Sequence, residues 1–143
     1  MNRKRIEEMI PLAAQVLQRG DDGIEIMENG TIGKKWRGQL AAFGATVSIG
    51  SLLAAAAFFA AQGNADVDRR QLSKAIFEVV KKHRESQGRD IPPGKALFEF
   101  VKAAHSDDKQ AVKEEVIDAA TALKLAMNLF IKKEDTKDRE ATA

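Results

Sequence analysis

The stretch that decides the fold is GQLAAFGATVSIGSLLAAAAFFAAQGN, residues 38–64, which contains no charged side chain. About 20 apolar residues suffice to cross a bilayer, so a single membrane span over residues 40–61 is one reading. Its composition favours another, because nine of residues 40–61 are Ala, and Gly, Ser and Thr interrupt the remainder. Flanking charge gives no clear orientation, and no aromatic belt is present beyond Trp36. Because a helix apolar on all sides is typical of the middle of a helical domain, we predict a central Ala-rich buried helix.

Size and composition predict one domain with a core of its own. The chain has 143 residues, 23 basic and 21 acidic side chains, and no Cys. We expect a single helical domain over residues 1–133 and a disordered polar tail over residues 134–143. The lack of Cys excludes disulfides, and the first basic residues are followed by Glu7 and Glu8 rather than by the apolar core of a signal peptide. We therefore expect a cytoplasmic protein.

Helical spacing of apolar residues predicts the first half of the fold. A first helix is expected over residues 3–19, which Pro11 either kinks or forces to begin at Ile10. A loop should follow over residues 20–33, with turns at the sequences Asp-Asp-Gly and Asn-Gly within it. The charge-free stretch should form one long helix or two, with a break near Gly50-Ser51 and a stop at Gly63-Asn64.

The second half predicts three further helices. The clearest ends near Gln87-Gly88 and buries one stripe, made of Leu72, Ala75, Ile76, Val79, Val80 and His83. A short helix should run from residue 95 to about 104. Asp107 and Gln110 resemble a capping box that opens the last helix, and Lys132-Lys133 would complement its C-terminal dipole. With no strand pattern of any length, the prediction is an all-α bundle of about five to six helices.

Catalytic chemistry has no candidate residues. His83 lies on an apolar stripe, where a satisfied, partly buried histidine is expected, and His105 is the only other histidine. Two histidines without Cys do not make a zinc site, and the residues around Gly33-Lys34 lack the glycine and hydroxyl of a phosphate-binding loop. We predict a protein without catalytic residues, metal or cofactor.

The basic residues point to a different role. They gather in three places: near the N-terminus (Arg3, Lys4, Arg5), before the Ala-rich stretch (Lys34, Lys35, Arg37) and late in the stripe-bearing helix (Lys81, Lys82, Arg84). Such side chains can neutralise phosphates, and Trp36 could stack on a base or a sugar. Two alternatives stay open, because lysines also decorate solvated helix faces and Trp36 could instead fasten the incoming loop to the core.

The segment IGKKWRGQLAAFGATVSIGSLLAAAAFF, residues 32–59, resembles the small helical subunit of the Cmr complex, the type III-B CRISPR RNA-guided effector. Family members show a basic–aromatic–basic–Gly sequence, here residues 35–38, then a Phe-Gly-Ala-Ser/Thr segment, here residues 43–46. A Leu-Leu…Phe-Phe helix follows, and further similarity brings the resemblance to roughly residues 5–131. The chain departs from the family at two places. It has Ile49-Gly50-Ser51 where relatives commonly have a polar residue followed by Ser-Gly, and it has Ala54 where Pro is frequent.

The resemblance implies a non-catalytic spacer that stacks along the guide–target duplex in antiviral defence. Its implied partners are other Cmr effector subunits, copies of itself and the RNA backbone, with no membrane. The expected RNA-binding residues are, in order, Lys34, Lys35 and Arg37, then Arg3, Lys4, Lys81 and Lys82, with Trp36 for stacking. The alternative is a small helical protein–protein adaptor with no nucleic-acid role.

Overall fold

The part of the chain that the structure describes is built mainly of six α-helices. The computed structural model describes residues 2–20, 23–49, 51–60, 68–104 and 107–131. The helices are α1 (Arg3–Arg19), α2 (Lys34–Ile49), α3 (Leu52–Phe59), α4 (Arg69–Ser86), α5 (Leu97–Ala103) and α6 (Lys109–Met127), and a 3-10 turn, Asn128–Phe130, follows α6. Within these ranges the only extended pairings are two isolated bridges, Glu28 with Thr31 and Ile32 with Ile131. The predicted all-α bundle is confirmed, and the predicted tail lies outside the described residues.

The first helix begins and ends as its sequence predicts. The Asn2 side chain accepts a hydrogen bond from the Arg5 amide at 3.0 Å, and Gly20 closes the helix in the left-handed conformation at φ 61°. Pro11 lies inside the helix, so the alternative start at Ile10 is wrong. Both Pro11 and Glu7 are exposed, so water can satisfy the carbonyl that the proline leaves without an amide donor.

The helices α1, α4 and α6 pack along one another, with α4 antiparallel to the other two. The start of α1 contacts the end of α4, since Glu8 is bonded to His83. The loop after α1 contacts the start of α4, because the Glu25 amide donates to Gln71 at 2.7 Å. Arg5 bonds to Asp118 in α6, and the chain that follows α6 bonds to the loop before α2. Thus α1 and α6 run in the same direction.

The Ala-rich stretch forms two helices that break where predicted. Ser51 starts α3, with its hydroxyl accepting a hydrogen bond from the Ala54 amide at 3.0 Å. The predicted stop at Gly63-Asn64 lies outside the described residues, and α3 itself ends at Phe59. No helix within the described ranges has both the length and the apolar character needed to cross a membrane.

Burial of this stretch differs from the prediction of a helix hidden on all sides. In α3, Ala55, Ala56 and Phe59 are fully buried, and the Phe59 ring lies 5.2 Å from that of Phe43 in α2. The opposite face is open: Leu53 is 46% exposed and Phe58 50%. Only one side of α3 faces α2, α4 and α5, so Ala55 and Ala56 pack closely against these helices while Ala54 and Ala57 stay exposed.

The remaining helices follow the sequence pattern with one correction. The stripe of α4 is buried as predicted, and the helix ends at Ser86. The predicted capping box is wrong, because Asp108 rather than Asp107 precedes α6 and its side chain accepts no cap bond. The physical reason is its backbone: at φ −101° and ψ −7°, Asp108 is not in the extended conformation that aims a side chain at the first amides. Gln110 donates instead to Glu114.

Candidate nucleic-acid interface

The middle basic cluster opens α2. Lys34 and Lys35 are the first two residues of the helix, and both are exposed. The loop before them is held by a turn at Asn29 and Gly30, both at positive φ, and by the Ile32 amide, which donates to the Phe130 carbonyl at 2.6 Å. The first turn of α2 contains no acidic residue. The dipole of a helix start favours anions, so both lysines stand where a phosphate would be stabilised, although the Trp36 amide itself already donates to the Gly33 carbonyl at 3.2 Å.

The two residues that follow are less accessible. Trp36 is partly buried and packs against the core, which supports its role in fastening the loop. Arg37 is also partly buried, and its Nε has no hydrogen-bond partner among the described residues. Of this cluster, therefore, Lys34 and Lys35 are the side chains most open to a ligand.

The other predicted cations lie toward the opposite end of the bundle. Arg3 and Lys4 are exposed at the start of α1. Lys81 is partly buried near the end of α4, where it pairs with Glu78 at 3.4 Å and lies 5.6 Å from the Phe77 ring. Lys82 beside it is also partly buried. A 17-residue helix such as α1 is about 25 Å long, so the seven predicted cations form two separate groups.

Two buried carboxylates, which we did not single out from the sequence, hold these basic segments in place. In α6, Asp118 is 0% exposed and Glu115 2% exposed. Asp118 accepts hydrogen bonds from Arg5, and Glu115 accepts two from Arg84, at 2.6 and 2.9 Å. Donation to Glu115 raises the pKa of Arg84 above its usual value, although burial opposes that shift. Arg5 and Arg84 are therefore structural, despite belonging to basic clusters in the sequence.

The two buried carboxylates of α6 could have been recognised from their positions in the sequence. Glu115 and Asp118 are three residues apart, so they share one face of α6, and they alternate with the buried Val116 and Ala119. Acidic residues inside an apolar stripe indicate buried partners of opposite charge. The partners themselves come from α1 and α4, which no local pattern identifies.

The prediction of a satisfied, partly buried His83 holds for one ring nitrogen only, because the side chain is fully buried and its other nitrogen has no partner among the described residues. His83 is 1% exposed, and its Nε2 lies 3.0 Å from Oε2 of Glu8, to which the Nε2–H tautomer donates. This bond lowers the pKa of Glu8 below its usual value. Nδ1 is buried with no partner among the described residues. In those same residues no group of three or more His, Cys, Asp or Glu side chains is placed to hold a metal ion, and His105 lies outside them.

Comparison of the chain with family models, with curated proteins and with solved structures gives no match.

Proposed function

We propose that this chain is a non-catalytic, RNA-contacting small subunit of a type III-B CRISPR effector, which stacks along the guide–target duplex. The resemblance over residues 32–59 motivates the proposal. The structural observation that supports it best is the exposed Lys34–Lys35 pair at the start of α2, where no acidic side chain of the first turn competes for the charges.

The expected contact is with phosphates rather than with bases. Lysines and helix-start amides bind phosphate oxygens without reading sequence, which suits a complex whose guide reads the target by pairing. The two groups of cations, at the start of α2 and at the paired ends of α1 and α4, would contact the RNA at separate points along its backbone. Each contact is weak, but subunits linked in a row add their contacts through avidity.

The test measures the affinity of the chain for a single-stranded RNA of about 20 nucleotides at several salt concentrations. Replacing Lys34→Ala together with Lys35→Ala should reduce the slope of log affinity against log salt by about 1.4, because two phosphate contacts are lost. The control is Lys74→Ala with Lys124→Ala, an equal charge change at two exposed lysines outside the predicted set. Equal slopes for the two double variants would refute the assignment.

A protein–protein adaptor with no nucleic-acid role is the second candidate. It is favoured by Leu53 and Phe58 on α3, which remain 46% and 50% exposed, although the Arg69 guanidinium lies 3.8 Å from the Phe58 ring. Under that function, the chain would show no salt-dependent RNA affinity even at low ionic strength, so the same titration separates the two candidates.

A further inference from the structure

A groove of about 380 Å³ lies between α3, the end of α5 and the start of α6. Its floor is aliphatic: Leu52, Val101 and Val112 are each 7% exposed, and Leu53 on its edge is 46% exposed. This volume is within the range of pockets that hold a drug-sized ligand or several anchoring side chains. The groove therefore offers aliphatic surface that another molecule could remove from water.

Three lysines line the rim of the groove, whereas the exposed Asp107 and Asp108 precede α6 outside its lining. Lys102 comes from α5, and Lys109 and Lys113 lie one turn apart on α6. None of the described residues lining the groove is acidic, and none of the three lysines forms an ion pair with another described residue. An occupant with carboxylates around an apolar centre would complement both the floor and the rim.

The floor distinguishes between two kinds of occupant. RNA bases bind proteins by stacking on aromatic rings or guanidinium planes, and none of the described residues that line the groove supplies either group. Aliphatic side chains of a peptide, in contrast, fill such a floor as an amphipathic helix fills a hydrophobic groove. The observations favour a protein segment over RNA.

We propose that this groove binds a short acidic amphipathic segment of a different protein chain. The segment seats an aliphatic side chain on Leu52, Val101 and Val112, and its carboxylates contact the three lysines. The surface lies away from Lys34 and Lys35, and the proposal does not depend on RNA binding.

The experiment places the photoreactive residue p-benzoylphenylalanine at Gln110, an exposed position on the rim, in the full chain expressed in its native cells. After irradiation, the adduct is mapped by mass spectrometry. We expect a segment of another protein with a large aliphatic residue and at least two Asp or Glu within four positions of it. The control places the same photoreactive residue at Leu129, which is 68% exposed near the other end of α6.

Charge reversal tests the rim. Lys109→Glu with Lys113→Glu should lower the adduct yield about tenfold, and Glu in the opening turns of α6 is compatible with its dipole. Lys109→Gln with Lys113→Gln, a milder pair, should lower the yield about threefold, whereas Lys74→Glu with Lys124→Glu should change it less than twofold. The proposal is overturned by an adduct with RNA, an adduct with a second copy of this chain, or a segment without acidic residues. A yield no higher than at Leu129, or one insensitive to both rim pairs, overturns it too.

Discussion

Asp118 shows what a single residue contributes to this bundle. It has no exposed surface, and its charge is balanced by Arg5, whose guanidinium lies 2.7 Å away and whose side chain is 19% exposed. A buried carboxylate is costly without such a partner, whereas the partly exposed Arg5 depends on the pair less strongly. The pair therefore fixes the position of the α1 start, where Arg3 and Lys4 are located.

Asp118→Ala should lower the free energy of unfolding by about 3 kcal/mol, because Arg5 would be left without its counter-charge but can still reach some water. Urea unfolding followed by circular dichroism measures it. In the control, Arg5→Met with Asp118→Leu removes both charges and should cost less than about 1 kcal/mol. If the double variant lost as much stability as Asp118→Ala, the ion pair would not be the cause.

The bond between Glu8 and His83, at the same end of the molecule, should make the free energy of unfolding depend on pH. Its hydrogen bond with His83 lowers its pKa in the folded state below the ordinary value of 4.5. A lowered pKa gives stability that is present above the unfolded-state pKa and is lost as pH falls through the folded-state value.

The stability difference between the wild type and Glu8→Gln should therefore be largest near neutral pH and should shrink as pH falls from about 5 to 3. Chemical unfolding at several pH values measures this difference. A difference that stays constant over the whole range would show that the charge of Glu8 makes no contribution.

At the scale of elements, α2 begins with basic residues and contains Gly38, a glycine that its packing does not require. A Cβ added at Gly38 would meet no atom within 4 Å, whereas at Gly20 it would lie 2.7 Å from the Ile24 carbonyl oxygen. Gly20 also has φ 61°, which disfavours any other residue. The backbone conformation therefore requires glycine at position 20, whereas alanine fits at position 38.

Gly38→Ala should raise the free energy of unfolding by about 0.5–1 kcal/mol, because alanine has the better helix propensity and nothing obstructs its methyl group. Gly20→Ala should lower it by at least a similar amount. Thermal unfolding of the two variants compares them directly. Destabilisation by Gly38→Ala would mean that α2 does not extend through this position.

The elements show which parts of the fold a sequence can reveal. The ends of α1 and α4 and the break before α3 depend on caps, glycines and periodicity within a few residues, and all were predictable. The residue that precedes α6 was not predictable, because the sequence offers the adjacent Asp107 and Asp108 and only the backbone conformation selects between them. The exposed face of α3 was also missed, since an all-apolar helix has no polar face that shows which side meets water.

At the scale of the whole molecule, the candidate site depends on contacts between distant segments. Lys34, Lys35, Arg3 and Lys4 are recognisable as cations in the sequence, but the pairing of Arg5 with a residue 113 positions away is not. Tertiary packing thus decides which basic residues are structural and which remain exposed. It also separates the exposed ones into two groups, which local spacing could not have indicated.

The central claim is that this chain contacts RNA as a structural part of an RNA-guided complex. The most direct measurement is purification of the tagged full chain from its native cells, with sequencing of the bound RNA and mass spectrometry of the bound proteins. We predict a guide RNA and effector backbone subunits in near-stoichiometric amounts, with less RNA bound to the Lys34→Ala, Lys35→Ala variant. Recovery of the chain without RNA, or only with proteins unrelated to an RNA-guided complex, would contradict the account.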